Sequence, residues 1–225
     1  MSQKINMDEK RIEALKRLET GFITDALERL EAGAWTWGIY PANPVMKLAG
    51  RAFTVKFDYV KPEQNFYKHM MDLYDHYKPG DVLVVAAHVK SAVTGEHVIH
   101  AAMNAGYQGY VIDGYVRDYG GIAAYGDKFP TFCCGPSAGR APNNFKAVAV
   151  DIPVTVGGVD VQPADFIVGD IDGVIVIPAG LIDDVIYLAE KVSEIEEKMV
   201  KALNEKCPTS VFLELSKEKR SLKKP

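Results

Sequence analysis

The stretch that decides the fold runs from Val82-Leu83-Val84-Val85, through Thr94-Gly95-Glu96 and Gly106, to Tyr110-Val111-Ile112-Asp113-Gly114. The two apolar runs are short, β-branched and bounded by turn residues, which predicts buried strands. A strong turn, Lys78-Pro79-Gly80-Asp81, precedes the first. Between the strands the pattern predicts a helix over about residues 95–105, with Thr94 as its cap and Gly106 as its stop. Strand, helix, strand in this order is a βαβ unit, with parallel neighbours and a right-handed crossover.

Outward from this unit the pattern changes. Upstream, residues 8–19 predict a charged helix with apolar Ile12, Leu15 and Leu18. A second short helix carries Ala26, Leu27 and Leu30, with Thr20 or Thr24 as cap and Gly33 as stop. Residues 34–44 are irregular and hold Trp35, Trp37 and Tyr40; they read as a surface loop pinned by buried rings, or else as a lid over a ligand. Residues 52–57 predict a strand and residues 65–77 a helix.

Downstream, residues 130–147 are rich in Gly, Pro and Asn. Val154-Thr155-Val156 and Val159-Asp160-Val161 flank Gly157-Gly158, a hairpin signal. Phe166-Ile167-Val168 and Val174-Ile175-Val176-Ile177 flank a second turn, so the last strands should be antiparallel. A long helix is expected over about residues 179–203. Its seam (Leu181, Val185, Leu188, Val192, Ile195, Met199, Ala202) has heptad spacing and would lie on the chain's own sheet or reach another subunit. The economical organisation is one domain over 1–225, with a core of about 20–195 and a tail over 204–225.

The 225 residues are 48% apolar and 25% charged. That balance excludes a disordered chain, a collagen or a disulfide scaffold. With 26 basic and 30 acidic side chains the net charge is −4, and nucleic-acid binding by the whole surface is not expected. From Leu215 onward five cations face one anion, a local +4 that leaves −8 on the remainder. Such a terminus reads as a solvated tail, or as a docking segment for an acidic partner. The longest apolar run among the strands, residues 82–87, is far too short for a membrane span. Cys133, Cys134 and Cys207 offer neither complete pairing nor a C-x-x-C spacing. A cytoplasmic protein with reduced thiols is expected, without a structural zinc site.

Three chemical features converge around the βαβ unit. The start of the helix at Thr94-Gly95-Glu96 offers free backbone N–H groups and a positive dipole end to a carboxylate. Gly95 would let that anion approach the backbone closely. Arg117 carries a planar fork suited to a carboxylate or enolate oxygen. Asp118 and Glu96 are hard oxygen donors of the kind Mg²⁺ prefers. Both segments belong at the carboxyl ends of parallel strands, where ligands of open α/β sheets collect. His88, His97 and His100 are not expected to form a metal site.

The pattern Gly95-Glu96, twenty residues, Arg117-Asp118, with Asp113-Gly114 just before the pair, resembles the RraA-like family. The resemblance covers roughly residues 20–195. It includes Thr24-Asp25-Ala26-Leu27, Pro79-Gly80-Asp81-Val82-Leu83-Val84-Val85, Pro153-Val154 with Val156-Gly157-Gly158-Val159, and Asp172-Gly173-Val174. That family includes metal-dependent 4-hydroxy-4-methyl-2-oxoglutarate aldolases that also decarboxylate oxaloacetate, and regulators of ribonuclease activity. The resemblance implies an α/β fold with a three-layer β/β/α swivelling-domain-like core, a mixed sheet, N-terminal helices and a long C-terminal helix.

It also implies roles. Asp118 would hold a divalent metal, Mg²⁺ or Mn²⁺, mostly through water and substrate. Arg117 would stabilise a pyruvate enolate, and Glu96 would position or activate a water. The backbone of Gly95, Glu96, His97 and Val98 would bind the pyruvyl carboxylate. The partners implied are a small 2-oxo acid and further copies of the chain, as a homotrimer or homohexamer with sites near subunit interfaces; no nucleic acid or membrane is implied. Asn65, Lys68 and His69 would line the pocket mouth. The sequence departs from the family at Ala86-Ala87-His88, at Ala164, in the aromatic loop and in the tail. Competing readings are a non-catalytic regulator that binds a ribonuclease, and a related lyase, isomerase or epimerase working through the same enolate on another sugar-derived 2-oxo acid. A methyltransferase is disfavoured, since no Gly-rich nucleotide loop is followed by an acid at the usual distance.

Overall fold

The computed structural model describes residues 7–32, 35–68, 70–73, 76, 78 and 80–224, the side chain of Met71 excepted. The expected helix stop at Gly33, and the expectations on Ala34, His69, Tyr77 and Pro79, lie outside the described residues. In chain order the helices and strands are α1 (Met7–Leu15), α2 (Thr20–Arg29), β1 (Tyr40–Pro41), β2 (Leu48–Tyr59), β3 (Asp81–Thr94), α3 (Glu96–Ala105), β4 (Tyr110–Val116) and α4 (Tyr119–Ala124). They continue with β5 (Thr131–Pro136), β6 (Phe145–Val150), β7 (Val154–Val156), β8 (Val159–Val161), β9 (Phe166–Asp170), β10 (Gly173–Ile177), α5 (Ile182–Asn204) and α6 (Thr209–Ser221).

The βαβ unit is present: β3 and β4 pair in parallel through α3, with β2 parallel on the other side of β3 and β5 parallel beyond β4. The main sheet runs β1-β5-β4-β3-β2-β9-β10, and β6 also pairs with β2. Since β9 and β10 join it antiparallel, the sheet is mixed, as expected. The hairpin of β7 and β8 forms a second, two-stranded sheet.

Period-two alternation splits the core. Along β9 and β10, Phe166, Val168, Ile175 and Ile177 face α1, α2 and α5, whereas Ile167, Val174 and Val176 join the larger cluster that holds Ile99 and Ala102 of α3. The α5 seam closes on the chain's own helices and sheet: Val185, Leu188, Val192 and Ile195 are buried, and α5 packs on α2, α1 and α6.

Several local expectations are corrected. Residues 65–77 form no helix among those described, only a 3₁₀ turn at Met70–Leu73. The reason is backbone competition. Val60 N–H donates to the Asn144 carbonyl (2.8 Å) and Tyr67 N–H to that of Ala147 (3.0 Å). Neither Thr20 nor Thr24 caps α2. The Thr20 N–H and hydroxyl both donate to the buried Asp170 carboxylate (2.8 Å each), while Thr24 donates to the Thr20 carbonyl. The cap is thus supplied from β9, by the residue type that favours this role. Trp35, Trp37 and Tyr40 are 44%, 71% and 54% exposed, so they do not pin this segment as buried residues. The basic terminus is not a free tail. Helix α6 packs on α5, and Lys219 pairs with Asp25 and Glu196.

Candidate active site

Strand β3 outlasts the regular ladder. Its pairing with β4 breaks register three times between Ala86 and Thr94, and His88 takes φ = +51°. This bulged extension carries the chain straight into α3. Thr94 does not cap that helix. Gly95 is the N-cap, with extended backbone, and the Thr94 hydroxyl is buried with no hydrogen-bond partner among the described residues. Gly106 ends α3 in the left-handed conformation (φ = +101°), as expected.

Gly95 is where the sequence-predicted residues meet. A Cβ added to it would lie 2.6 Å from Asp118 Oδ2 and 3.0 Å from both Cγ and Nε of Arg117. With φ = −142° any residue could adopt this backbone; the constraint is space. Arg117 is anchored on the same junction, its N–H donating to the Thr94 carbonyl at 3.0 Å. Arg117 Nε lies 3.4 Å from Asp118 Oδ2, with the two side chains 50% and 47% exposed. Asp118 itself is left-handed (φ = +56°) and turns the chain into α4. Acidic and amide residues tolerate that conformation better than bulky ones.

Glu96 closes the other side. Its carboxylate lies over Gly121 of α4, where an added Cβ would collide with Oε2. The Tyr125 hydroxyl lies 3.3 Å from Glu96 Oε1 and 2.9 Å from His100 Nδ1. A phenol has one proton. When it is given to Glu96, His100 must supply the proton of its own contact; when it is given to His100, Glu96 loses a donor. Burial, reinforced by the Glu96 charge and hydrogen bond, holds the Tyr125 phenol above its ordinary pKa. It therefore remains a donor at neutral pH. Tyr125 and Gly121 were not singled out from sequence. The Gly120-Gly121 pair just after Arg117-Asp118 was the available signal.

The four-residue backbone cradle is narrower than expected. Val98 and Ile99 N–H both donate to the Gly95 carbonyl, at 3.1 Å and 3.2 Å. Of the expected donors this leaves the Gly95, Glu96 and His97 N–H groups without a backbone acceptor among the described residues. The His97 side chain is exposed. The histidines are dispersed: His88 Nδ1 sits 3.1 Å from Asp113 Oδ2, and His100 meets Tyr125. Asp113 also accepts from Gly157 N–H at 2.8 Å, tying β4 to the β7–β8 turn. Lys68 lines a cavity beside α3, whereas Asn65 is exposed elsewhere on the same loop.

Among the described residues no group of three or more His, Cys, Asp and Glu side chains is placed to hold a metal. Asp118 offers one half-exposed carboxylate. That donor set suits Mg²⁺ or Mn²⁺, which retain waters and take few protein oxygens, and not zinc with its tetrahedral nitrogen and sulfur ligands.

Known proteins share this fold. The RraA-like family model, described as Aldolase/RraA, matches residues 20–176. A protein of Halalkalibacterium halodurans, provisionally named 4-hydroxy-4-methyl-2-oxoglutarate aldolase, is 33% identical over 196 residues, covering 86% of this chain and 89% of its own. An uncharacterized Pseudomonas syringae protein of known structure superposes with a TM-score of 0.82 at 25% identity, over 94% of this chain and 96% of that one. Streptomyces coelicolor RraAS2, titled an unusual member of the RNase ES inhibitor RraA protein family, gives 0.76 at 25% identity, over 85% and 97%. No helix among the described residues is long and apolar enough to cross a membrane. On the family match and the relative that spans most of its length, the chain belongs to the RraA-like family.

Proposed function

We propose that this protein is a divalent-metal-dependent carbon–carbon lyase that cleaves a 2-oxo acid to a pyruvate enolate, of the 4-hydroxy-4-methyl-2-oxoglutarate aldolase and oxaloacetate decarboxylase type. The observation that carries the reading is the crowding at Gly95, where the Arg117 fork and the Asp118 carboxylate occupy the space of a missing Cβ. A guanidinium, a carboxylate and the open end of a helix thus share one small volume.

The free N–H groups of Glu96 and His97, at the positive end of α3, bind the substrate carboxylate. Arg117 donates to the 2-oxo oxygen, where negative charge grows as the bond breaks. Preorganised donors of this kind are worth about 3–4 kcal/mol each at a developing oxyanion. A divalent cation held by Asp118 would add positive charge at the same oxygen when bound. In decarboxylation the C3–C4 bond breaks, CO₂ leaves, and the electron pair remains as the enolate, which is then protonated at C3. In aldol cleavage the C4 hydroxyl first loses its proton, taken by a water that Glu96 orients, and the same bond breaks. The Tyr125 hydroxyl steadies the Glu96 carboxylate. Assembly as trimers or hexamers with the site near a subunit interface belongs to the same proposal.

For the competing regulator reading, Lys219 is one cation of the basic terminus that is already paired within the chain, with Asp25 and Glu196. The test is pyruvate release from oxaloacetate with added Mg²⁺. Activity should appear, vanish with EDTA, and be lost in Asp118→Ala; an Asp118→Ala protein with undiminished turnover overturns the assignment.

A further inference from the structure

Glu96 does not end the chain of polar contacts at the start of α3. His100 stands one turn later on the same helix face, and Tyr125, the C-terminal cap residue of α4, reaches over both. Its hydroxyl lies 2.9 Å from His100 Nδ1 and 3.3 Å from Glu96 Oε1. The Tyr125 and His100 rings meet edge to face, with centroids 5.8 Å apart at 77°. Exposure rises along the series: Glu96 and Tyr125 are half-buried, and His100 is exposed. The inner end is fixed, because the Glu96 carboxylate is lodged over the bare backbone of Gly121. The outer end is open. His100 turns Nδ1 to Tyr125, and among the described residues its Nε2 has no protein partner. The other titratable side chains on α3 and on the elements packed on it are His97, Tyr119 of α4 and Asp72 of the 3₁₀ turn.

Two hydrogen-bonding patterns fit this geometry. In the first, Glu96 is a carboxylic acid that donates to the phenol oxygen, and the phenol donates to Nδ1. In the second, Glu96 is a carboxylate that accepts from the phenol, and the phenol oxygen accepts from Nδ1–H. Going from the first to the second breaks the Glu96 O–H bond and forms a new one on Tyr125, while the old Tyr125 proton passes to Nδ1. The phenol is neutral before and after. The imidazolium then gives its Nε2 proton to water, so atoms and charge balance with no further reactant. Burial and the Glu96 charge hold the Tyr125 phenol above its ordinary pKa, which suits a group that hands a proton on without resting as a phenolate. The 3.3 Å contact is longer than a resting O–H···O bond, and such contacts tighten when the reacting complex forms.

We propose that Glu96, Tyr125 and His100 form a proton relay that carries the proton taken from the substrate hydroxyl out to solvent. Tyr125 and His100 are positioning residues in this scheme, acting through Glu96. The inference rests on the lyase reading for the source of the proton.

Two measurements test it, and the first needs no turnover. With isotope-labelled histidine near neutral pH, nitrogen NMR of the full-length protein should find a proton on His100 Nδ1, since a charged Glu96 holds the phenol proton. In Glu96→Gln the amide donates to the phenol oxygen, and the Nδ1 signal should move toward the unprotonated form. On a Tyr125→Phe background that response should disappear. The second measurement is cleavage of 4-hydroxy-4-methyl-2-oxoglutarate with Mg²⁺ in weak buffer. His100→Gln keeps a polar contact to Tyr125 but passes no proton, so kcat should fall about fivefold, the size of one hydrogen bond, with KM and the melting temperature unchanged. Added imidazole should restore the rate of His100→Ala and leave the His100→Ala/Tyr125→Phe double variant slow. A full rate in His100→Gln, a His100→Ala protein that imidazole does not rescue, or an Nδ1 signal indifferent to Glu96→Gln overturns the relay. If neither this substrate nor oxaloacetate is turned over yet Nδ1 follows Glu96, the lyase reading falls and the relay stands for another proton at the same site. Turnover with an indifferent Nδ1 signal has the opposite meaning.

Discussion

Two ionic groups in this molecule are built to opposite ends. In the helical layer, Arg11 bridges Asp8 (3.1 Å) and Asp183 (2.6 Å), and Arg51 bridges Asp8 (3.1 Å) and Asp81 (2.9 Å), stitching α1 to β2, β3 and α5. The Arg51 and Asp81 side chains are only 16% and 8% exposed. Burial pushes the Asp81 carboxyl up, and the Lys78 N–H and the Arg51 charge pull it back. At the α3 start, by contrast, Arg117 and Asp118 share one contact of 3.4 Å and are about half exposed. The first group uses its hydrogen-bonding capacity to hold the fold. The second keeps most of its donors and lone pairs open, which costs stability little and leaves them for a ligand.

That contrast is broken most severely by Arg117→Met. Oxaloacetate turnover should fall about a thousandfold or more, about 4 kcal/mol of transition-state stabilisation. The melting temperature should hardly move, since an exposed pair is worth ~0–1 kcal/mol. Normal turnover in this variant would place the chemistry elsewhere. Arg51→Met should show the mirror image: a loss of about 3 kcal/mol in urea unfolding, because the largely buried Asp81 loses its partner, with the rate per folded molecule unchanged.

Gly95→Ala tests the crowding itself. Its methyl must displace the Asp118 carboxylate, and a misplacement of about 1 Å costs about a hundredfold in rate. Full activity in this variant would mean that the close approach serves packing alone. Tyr125→Phe removes one hydrogen bond to Glu96, about 1 kcal/mol, or several-fold in rate. The effect should be larger for aldol cleavage, which needs a proton removed, than for decarboxylation, and equal losses would detach Tyr125 from Glu96. Smallest of all is the effect of thiol reagents on turnover. Burial pushes the Cys133 and Cys134 thiols up to about 11, so at pH 8 only about a thousandth of either is thiolate. Mass spectrometry after brief alkylation at pH 8 should find Cys207 modified and the other two intact, with activity retained.

How far the sequence reached differs between these regions for a physical reason. Arg117 and Asp118 were legible because they follow a strand whose apolar run is unmistakable, and because Gly95 stands where a helix must begin. Tyr125 was not, since its partner Glu96 is 29 residues away and only the packing of α3 on α4 brings them together. The cap of α2 was missed in the same way, as Asp170 reaches Thr20 across 150 residues. The helix expected over residues 65–77 failed because side-chain pattern says nothing about who else competes for a backbone donor, and here the segment around β6 does. The basic stretch at the C-terminus has a charge that any count finds, yet its state depends on Asp25 and Glu196, two acids on two other helices.

The amino-acid order by itself determined the βαβ unit, both late hairpins and the long helix α5, because apolar periodicity and turn residues act over a few neighbours. Tertiary structure alone decided that Arg117 and Asp118 would crowd Gly95, that Glu96 would rest on Gly121, and that Tyr125 would bridge Glu96 and His100. Those arrangements depend on strand register and on the room left by a missing side chain, neither of which is encoded within any one segment.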